Sequence, residues 1–520
     1  MASDAPTLDK IAIGAFIAAI VTAAVAGALP AVWWDPIAYH LPIAARALTT
    51  GVFSFDPTMT QTAFPLLGEA AALPAYAIGG SAGAALVTLG SGIVLAVLCA
   101  AIARGFDPNA AWLGAALVAT SPLWAWLAPS FYVDVPFATF AVAAIGAPLV
   151  LTSRAARPTN IALVAGTFAG SAAAVKLTGV GVIIVAGVVA VLAARREWRW
   201  SVISFLIGAA ALALPWYARS AIVAGDPAYP FLSPLLHPGS AVADFSVRYA
   251  TMTRNWCGGG YGAADLLLLP WRMMTNPRFY CGDPGYALRL GIVLFAVGVA
   301  WVRSARIPAL IALGFTGLWF LESHQDRFLV PALAFYAIAV AVAARRIAPR
   351  LGAAIAVLLI ALGTLAVVEN WIPGFEYAAS NSVVPAYQYM SGRMDARQYL
   401  SARLESYAAA DWFRTHTRAN ERIFALDDVR DYYFGPNVVW GNPFYQAVWD
   451  IDWHAKPSVR YAALRAAGFR FMVVNAYRAY VERTPTGIDW RVLQQDQADG
   501  ALRPVFQSDD VTVYELAAPR

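Results

Sequence analysis

The chain has 520 residues, 59% of them hydrophobic and 13% charged, against roughly 45–50% and about 25% in soluble domains. A soluble core cannot absorb that much apolar surface, so a soluble enzyme is excluded for most of the chain. Residues 1–374 carry 21 basic and 15 acidic side chains, residues 375–520 carry 16 and 17; a charge-poor membrane part precedes a water-soluble tail, and no clustered basic face points to nucleic acid.

In chain order, apolar blocks stand near 11–31, 82–103, 109–128, 135–152, 160–174, 178–194, 200–218, 286–302, 308–321, 328–344 and 351–368. Blocks of this kind approach the roughly 20 residues that cross about 30 Å of hydrocarbon. They predict a polytopic α-helical membrane protein of about 11 transmembrane helices. The first block lacks a basic leader and a clear small-residue cleavage site, so it reads as a retained helix.

Alternate connections hold Arg104, Arg154, Arg157, Arg195, Arg196, Arg199, Arg303, Arg306, Arg345, Arg346 and Arg350 against Asp107 and Glu197. By the positive-inside rule those loops are cytoplasmic. The N-terminus is then cytoplasmic and the tail exported. Three exported pieces, 32–81, 219–285 and the tail from about 375, are too long to be turns and are where function is expected. In the first, "DPIAYHLPIAARAL" and "FPLLGEAAALPAYAI" read as short helices along the membrane surface. The domains expected are therefore 1–374, with exported loops 32–81 and 219–285, and a soluble domain over 375–520.

The tail alternates "RIFALDD" (strand), "PSVRYAALRAAG" (helix closed by Gly), "FRFMVVNA" (strand) and "RPVFQSDDVTVYEL", two strands about a Ser-Asp-Asp turn, which makes a small C-terminal α/β domain. Its "DDVRDYYFGP" and "DIDWH" segments offer glycan-binding chemistry, although a solvated face with turn residues explains them more simply. Cys99 lies within a span. Cys257 and Cys281 share an exported loop, where the compartment permits a disulfide closing about 25 residues, worth roughly 3 kcal/mol on the chain-entropy account; two free thiols is the other reading.

Ionisable residues gather where spans meet the exported face: Asp35, Glu69, Asp134, Lys176 and "HQDR" at 324–327. Singly they read as interfacial charges. Together they suggest a shared polar cavity, because an ionisable group at membrane depth costs about 2.5–3.5 kcal/mol. Asp35 precedes Pro36 and is placed to cap a helix. Tyr39 and His40 follow within about a turn, so a carboxylate, a phenol and an imidazole form an acid/base neighbourhood.

Taken in order, Asp35 after the first span, "FPLLGE" at 64–69, "SFYVDVPFATF" at 130–140, "AAVKLTG" at 173–179, "PWYARSAIVAGDPAYPF" at 215–231 and "HQDRFLVPAL" at 324–333 resemble bacterial glycosyltransferases of the GT-C superfamily. The likeness is to the protein O-mannosyltransferase branch that includes the lipid A aminoarabinose transferase. It covers about the first 345 residues, and the tail is similar to a domain that some bacterial members carry. The resemblance implies a GT-C-like fold and transfer of one sugar, with inversion, from a polyprenyl-phosphate donor to a lipid, glycan or protein acceptor at the periplasmic face of a bacterial inner membrane.

Asp35 matches the family's catalytic aspartate and implies a general base. Glu69 and Asp134 match acidic positions that orient acceptor or an ion, with His40 and Tyr39 beside them, and Lys176 and Arg327 match basic positions facing the donor phosphate. Many relatives carry an acidic pair after the first span; here Asp35 is followed by Pro36, which puts a metal in doubt. These residues specify no cofactor by themselves and leave a divalent cation open, with Asp35, Glu69, Asp134 and His324 as the candidates to hold it. A transporter or flippase of lipid-linked sugars would call for inverted repeats with matched broken spans, and neither is visible. A non-catalytic envelope-assembly protein is the other competitor.

Overall fold

The computed structural model describes residues 5–151, 156–194, 197–281, 285–347, 349–371, 383–418, 421–477 and 487–517. Arg154, Arg195, Arg196 and the expected domain boundary near 375 lie outside them. Among the described residues seven helices are long and apolar enough to cross a membrane: Thr7–Gly27, Leu67–Phe106, Asp134–Leu151, Pro158–Val175, Trp198–Ala224, Arg303–Glu322 and Asp326–Arg346. Shorter apolar helices, Pro108–Ala119, Gly179–Ala194, Leu288–Trp301 and Ala354–Leu365, stand at the remaining expected blocks.

Contacts divide the chain into two compact units, Met1–Leu29 with Pro65–Ala218 and Thr253–Val383, and Pro30–Phe64 with Arg219–Met252 and Val384–Arg520. The first holds the apolar helices. Outward side chains such as Ile17, Ile184, Leu192 and Leu206 are exposed, as lipid-facing helices require, while small residues let backbones approach. A Cβ on Gly166 or Gly170 would run into the carbonyl oxygens of Phe205 and Ala209, so helix 158–175 lies directly on helix 198–224. Helix 67–106 breaks at Gly80, whose φ of +57° only glycine adopts readily. The two apolar pieces expected on either side of that point are therefore distinct helices.

The second unit contains the tail sheet. Strands β1 (Arg422–Ala425), β2 (Val438–Trp440), β3 (Phe469–Asn475), β4 (Leu502–Ser508) and β5 (Val511–Leu516) are ordered β2-β1-β3-β5-β4. β1 is parallel to β2 and β3; β5 is antiparallel to β3 and β4. Period-two alternation gives the sheet two buried faces. Ile423, Ala425, Phe471 and Val473 pack with Phe413 of helix Tyr407–His416. Phe424, Leu426, Met472 and Val474 pack with Leu464 and Leu493 on the opposite side. The helix expected over 457–468 forms as two short pieces, Pro457–Arg460 and Ala462–Ala466, closed by Gly468 at φ +83°.

Segments 30–64 and 219–252 group with this domain rather than with the apolar helices. Specific polar contacts hold them. The Arg219 guanidinium donates to the carbonyls of Phe53 (2.7 Å) and Thr62 (2.8 Å), and Thr60 Oγ1 donates to the Tyr445 carbonyl (2.8 Å).

Candidate active site

In the first unit, the sequence places three candidate residues at helix ends: Glu69 in the first turn of helix 67–79, Asp134 opening helix 134–151 and Lys176 just after helix 158–175. Their chain neighbours touch. A Cβ on Gly68 would stand 2.7 Å from Val133 Cγ1, with Val175 Cγ1 at 3.7 Å, so the residues preceding Glu69, Asp134 and Lys176 form one contact. Lys176 Nζ donates to Asp134 Oδ1 at 2.6 Å, with the carboxylate buried and the lysine 19% exposed. The same ammonium lies 3.3 Å from the centroid of the Phe328 ring.

Arg327 joins this cluster. Its guanidinium stands 5.0 Å from the Phe328 ring and 5.2 Å from Tyr132, and its Nε donates to Gln325 Oε1 at 3.1 Å. Two cations thus share one aromatic wall, an arrangement worth about 0.5–2 kcal/mol per contact. Phe328 and Tyr132 were not singled out by the sequence, although they directly adjoin Arg327 and the "VD" of the acidic motif. Glu69, Asp134, Lys176 and Arg327 therefore come together from four stretches of chain.

Asp35 belongs to the second unit. Contrary to the expected cap, its backbone is helical (φ −61°, ψ −41°) and its side chain makes no capping bond. The helix starts at Trp34, two residues before Pro36, so Asp35 sits inside the first turn. There its Oδ2 accepts from Tyr39 Oη at 2.5 Å, a contact of i,i+4 spacing. His40 is buried and its ring lies 4.2 Å from that of Tyr39. Residues 36–40 form a π-helical turn, a local widening found often at functional sites. The expected carboxylate, phenol and imidazole are therefore adjacent.

The tail segment "DDVRDYYFGP" is not the solvated face expected of it. Asp427, Asp428, Arg430 and Asp431 are all buried. Arg430 grips Asp428 as a fork, with Nε to Oδ1 at 2.9 Å and Nη2 to Oδ2 at 2.5 Å, and also pairs with Glu405. Asn475 Nδ2 donates to both carboxylates, at 2.9 Å to Asp428 and 3.2 Å to Glu405. Burial, reinforced by the Asp428 charge, pushes the Asp427 carboxyl up to about 8. Asp431, bonded by Trp440 Nε1 at 3.2 Å, is likewise raised by burial. Composition alone reads such a segment as polar surface; the signal available was the strand "RIFALDD" running directly into it.

His324 stands apart from the cation cluster's contacts. Its ring stacks on Tyr261 at 4.1 Å and lies 5.0–5.1 Å from Phe320 and Trp319, while Nε2 faces the Phe320 carbonyl at 3.1 Å. Burial lowers its pKa, so the imidazole is neutral. A disulfide joins Cys257 to Cys281 with Cα atoms 5.5 Å apart, beside Gly258, whose added Cβ would meet His324 at 2.8 Å. Among the described residues no three His, Cys, Asp or Glu side chains gather as a metal ion requires. Of the candidate ligands, Asp134 is paired with Lys176 and His324 is enclosed by rings.

No protein-family model and no curated protein sequence matches the chain. Solved structures do match it in fold. In particular, ArnT of Cupriavidus metallidurans bound to undecaprenyl phosphate superposes with a TM-score of 0.62 at 15% identity, over 98% of this chain and 99% of ArnT. The oligosaccharyltransferase of Archaeoglobus fulgidus gives 0.54 at 13%, over 90% and 70%. Mycobacterial arabinofuranosyltransferase AftD gives 0.50 at 14%, over 98% of this chain and 40% of AftD. At these identities the likeness is one of fold.

Proposed function

We propose that this chain is a membrane glycosyltransferase that moves one sugar, with inversion, from a polyprenyl-phosphate donor to a hydroxyl of a glycolipid, envelope glycan or protein. The observation that carries the reading is the meeting of Lys176, Arg327, Asp134 and Glu69 at one set of helix ends within a GT-C fold, one relative of which holds undecaprenyl phosphate. Lys176 and Arg327 supply a point charge and a planar fork for the donor phosphate. Glu69 and Asp134 orient the acceptor or the lysine.

Asp35 acts as general base. The acceptor oxygen forms its bond to the anomeric carbon as the sugar–phosphate C–O bond breaks; that electron pair leaves with the polyprenyl phosphate, and the hydroxyl proton passes to Asp35. Tyr39 Oη holds the carboxylate and His40 supports Tyr39. Stabilising the departing phosphate charge is the larger electrostatic task, which falls to the two cations. No step is assigned to a metal ion.

On this reading residues 1–374 form the catalytic membrane domain in a bacterial inner membrane, with a cytoplasmic N-terminus, and 375–520 form a periplasmic domain. The test compares membranes of a deletion strain complemented with wild type or Asp35→Asn at matched protein levels, scoring glycolipids and glycans by mass spectrometry. Loss of one sugar from an acceptor in both the deletion and the variant is expected. Full restoration by Asp35→Asn refutes the base and favours transport or assembly.

A further inference from the structure

We propose that Tyr432, Tyr433 and Arg430 of the tail are positioning residues for Asp35, an inference that rests on the reading of Asp35 as the base. It starts from a defect written into the sequence. Leu41 donates its amide to the Pro36 carbonyl, closing the π-turn, and Pro42, next in line, has no N–H. The Ile37 carbonyl is thereby left without a donor from its own helix. A buried backbone carbonyl in that state is costly, and Ile37 is fully buried.

The tail supplies the missing donor. Tyr432 N–H donates to the Ile37 carbonyl at 3.1 Å. The next residue, Tyr433, donates Oη to the Ala31 carbonyl at 2.7 Å, and burial raises its pKa, which keeps that hydroxyl a donor. Arg430, two residues before Tyr432, lies 5.0 Å over the Trp34 ring. Three residues within one four-residue stretch of the tail therefore hold Ala31, Trp34 and Ile37, which bracket Asp35 on both sides. All of them belong to one compact unit.

Arg430 makes the brace rigid. Its guanidinium is fixed by Asp428 and Glu405, and Asn475 ties both carboxylates to β3. The position of the Asp35 turn is thus referred to the tail sheet. A group that takes a proton in a transition state must be placed closely, and displacements near 1 Å cost on the order of 10²-fold in rate. The tail touches no reacting atom in this account; it places the helix that does.

The experiment uses the full chain in nanodiscs for amide exchange, and the complemented deletion strain for product. Tyr433→Phe and Trp34→Leu are made singly and together, with Trp34→Phe as the variant that keeps an aromatic face. The double variant is expected to cut the sugar product about tenfold at matched protein level. Amides of residues 34–41 should exchange about tenfold faster while those of 471–474 keep wild-type protection, and Trp34→Phe should restore both readouts toward wild type. Unchanged exchange at 34–41 overturns the proposal, as does faster exchange spread equally over 471–474, which marks a general loss of tail stability. Failure of the Asp35 reading is recognised separately, by full product from Asp35→Asn, because the exchange result needs no assumption about the base.

Discussion

Lys176 Nζ and Asp134 Oδ1 meet at 2.6 Å, joining the end of one apolar helix to the start of another 42 residues away in sequence. Removing one member of a buried pair leaves a charge without its counterion, at a cost of about 3–5 kcal/mol, whereas removing both together is far milder. The lysine is partly exposed, which places Lys176→Met near the lower end. That variant is expected to melt several degrees lower in detergent, and Asp134→Asn/Lys176→Met to recover much of the loss. Product should stay absent in both. Product regained together with stability would show that the pair only holds helices together and that Lys176 does not serve the donor phosphate.

Gly68 gives a separate test of how these ends converge. An alanine there would bring Cβ to 2.7 Å from Val133 Cγ1, closer than real carbons approach, and a valine on a helix junction has little freedom to turn away. The helix bearing Glu69 must therefore shift relative to Asp134. Gly68→Ala is expected to lower product at least tenfold with a stability cost of about 1–3 kcal/mol, and Gly68→Ala/Val133→Ala to restore most of it. Wild-type product from Gly68→Ala would show that Glu69 need not be held against Asp134.

Much of this site was legible because membrane sequences penalise misplaced charge so heavily. Asp134 and Lys176 each interrupt an apolar run, and the polar stretch ending at Arg327 separates two such runs; interruptions of this kind are conspicuous. The converse held for the tail: charges such as Asp427, Asp428 and Arg430 ordinarily mark a wet surface, and the strand "RIFALDD" running into them is the one local sign of a buried network. Asp35 shows a further limit. Aspartate before proline reads as a cap, but the π-turn that draws Asp35 into the helix depends on Leu41 bonding to Pro36 and on a donor arriving from residue 432, contacts that no local pattern encodes. Strand β2 escaped notice because its three residues are too few to show alternation.

Asp427 makes the tail sensitive to pH in a stated direction. Its carboxyl, ordinarily near 3.8, stands at about 8 in the fold because of burial and the neighbouring Asp428 charge. The folded protein therefore keeps a proton that the unfolded chain gives up. The stability this contributes is fully present below the unfolded pKa, declines as pH rises from about 4, and is lost by about pH 8. The slope is at most about 1.4 kcal/mol per pH unit. Melting temperatures of the full chain should fall between pH 5.5 and 8, less steeply in Asp427→Asn, which stays uncharged and keeps an acceptor for the Asn475 amide. Parallel curves for the two proteins would remove Asp427 as the source.

The disulfide and His324 can be separated by paired substitutions. Cys257 and Cys281 close 24 residues of sequence, a constraint worth roughly 3 kcal/mol on the chain-entropy account. Cys257→Ser/Cys281→Ser is therefore expected to melt lower than wild type, and reductant should lower wild type to the same level without affecting the variant. His324, neutral and stacked on Tyr261, fills space between rings. His324→Phe should keep both the melting temperature and the sugar product, whereas His324→Ala should lose about 2–3 kcal/mol through the cavity it leaves. A His324→Phe protein that stays folded yet makes no product would return the imidazole to the chemistry, as an ion ligand or a proton carrier, and would require the ring cage around it to open during turnover.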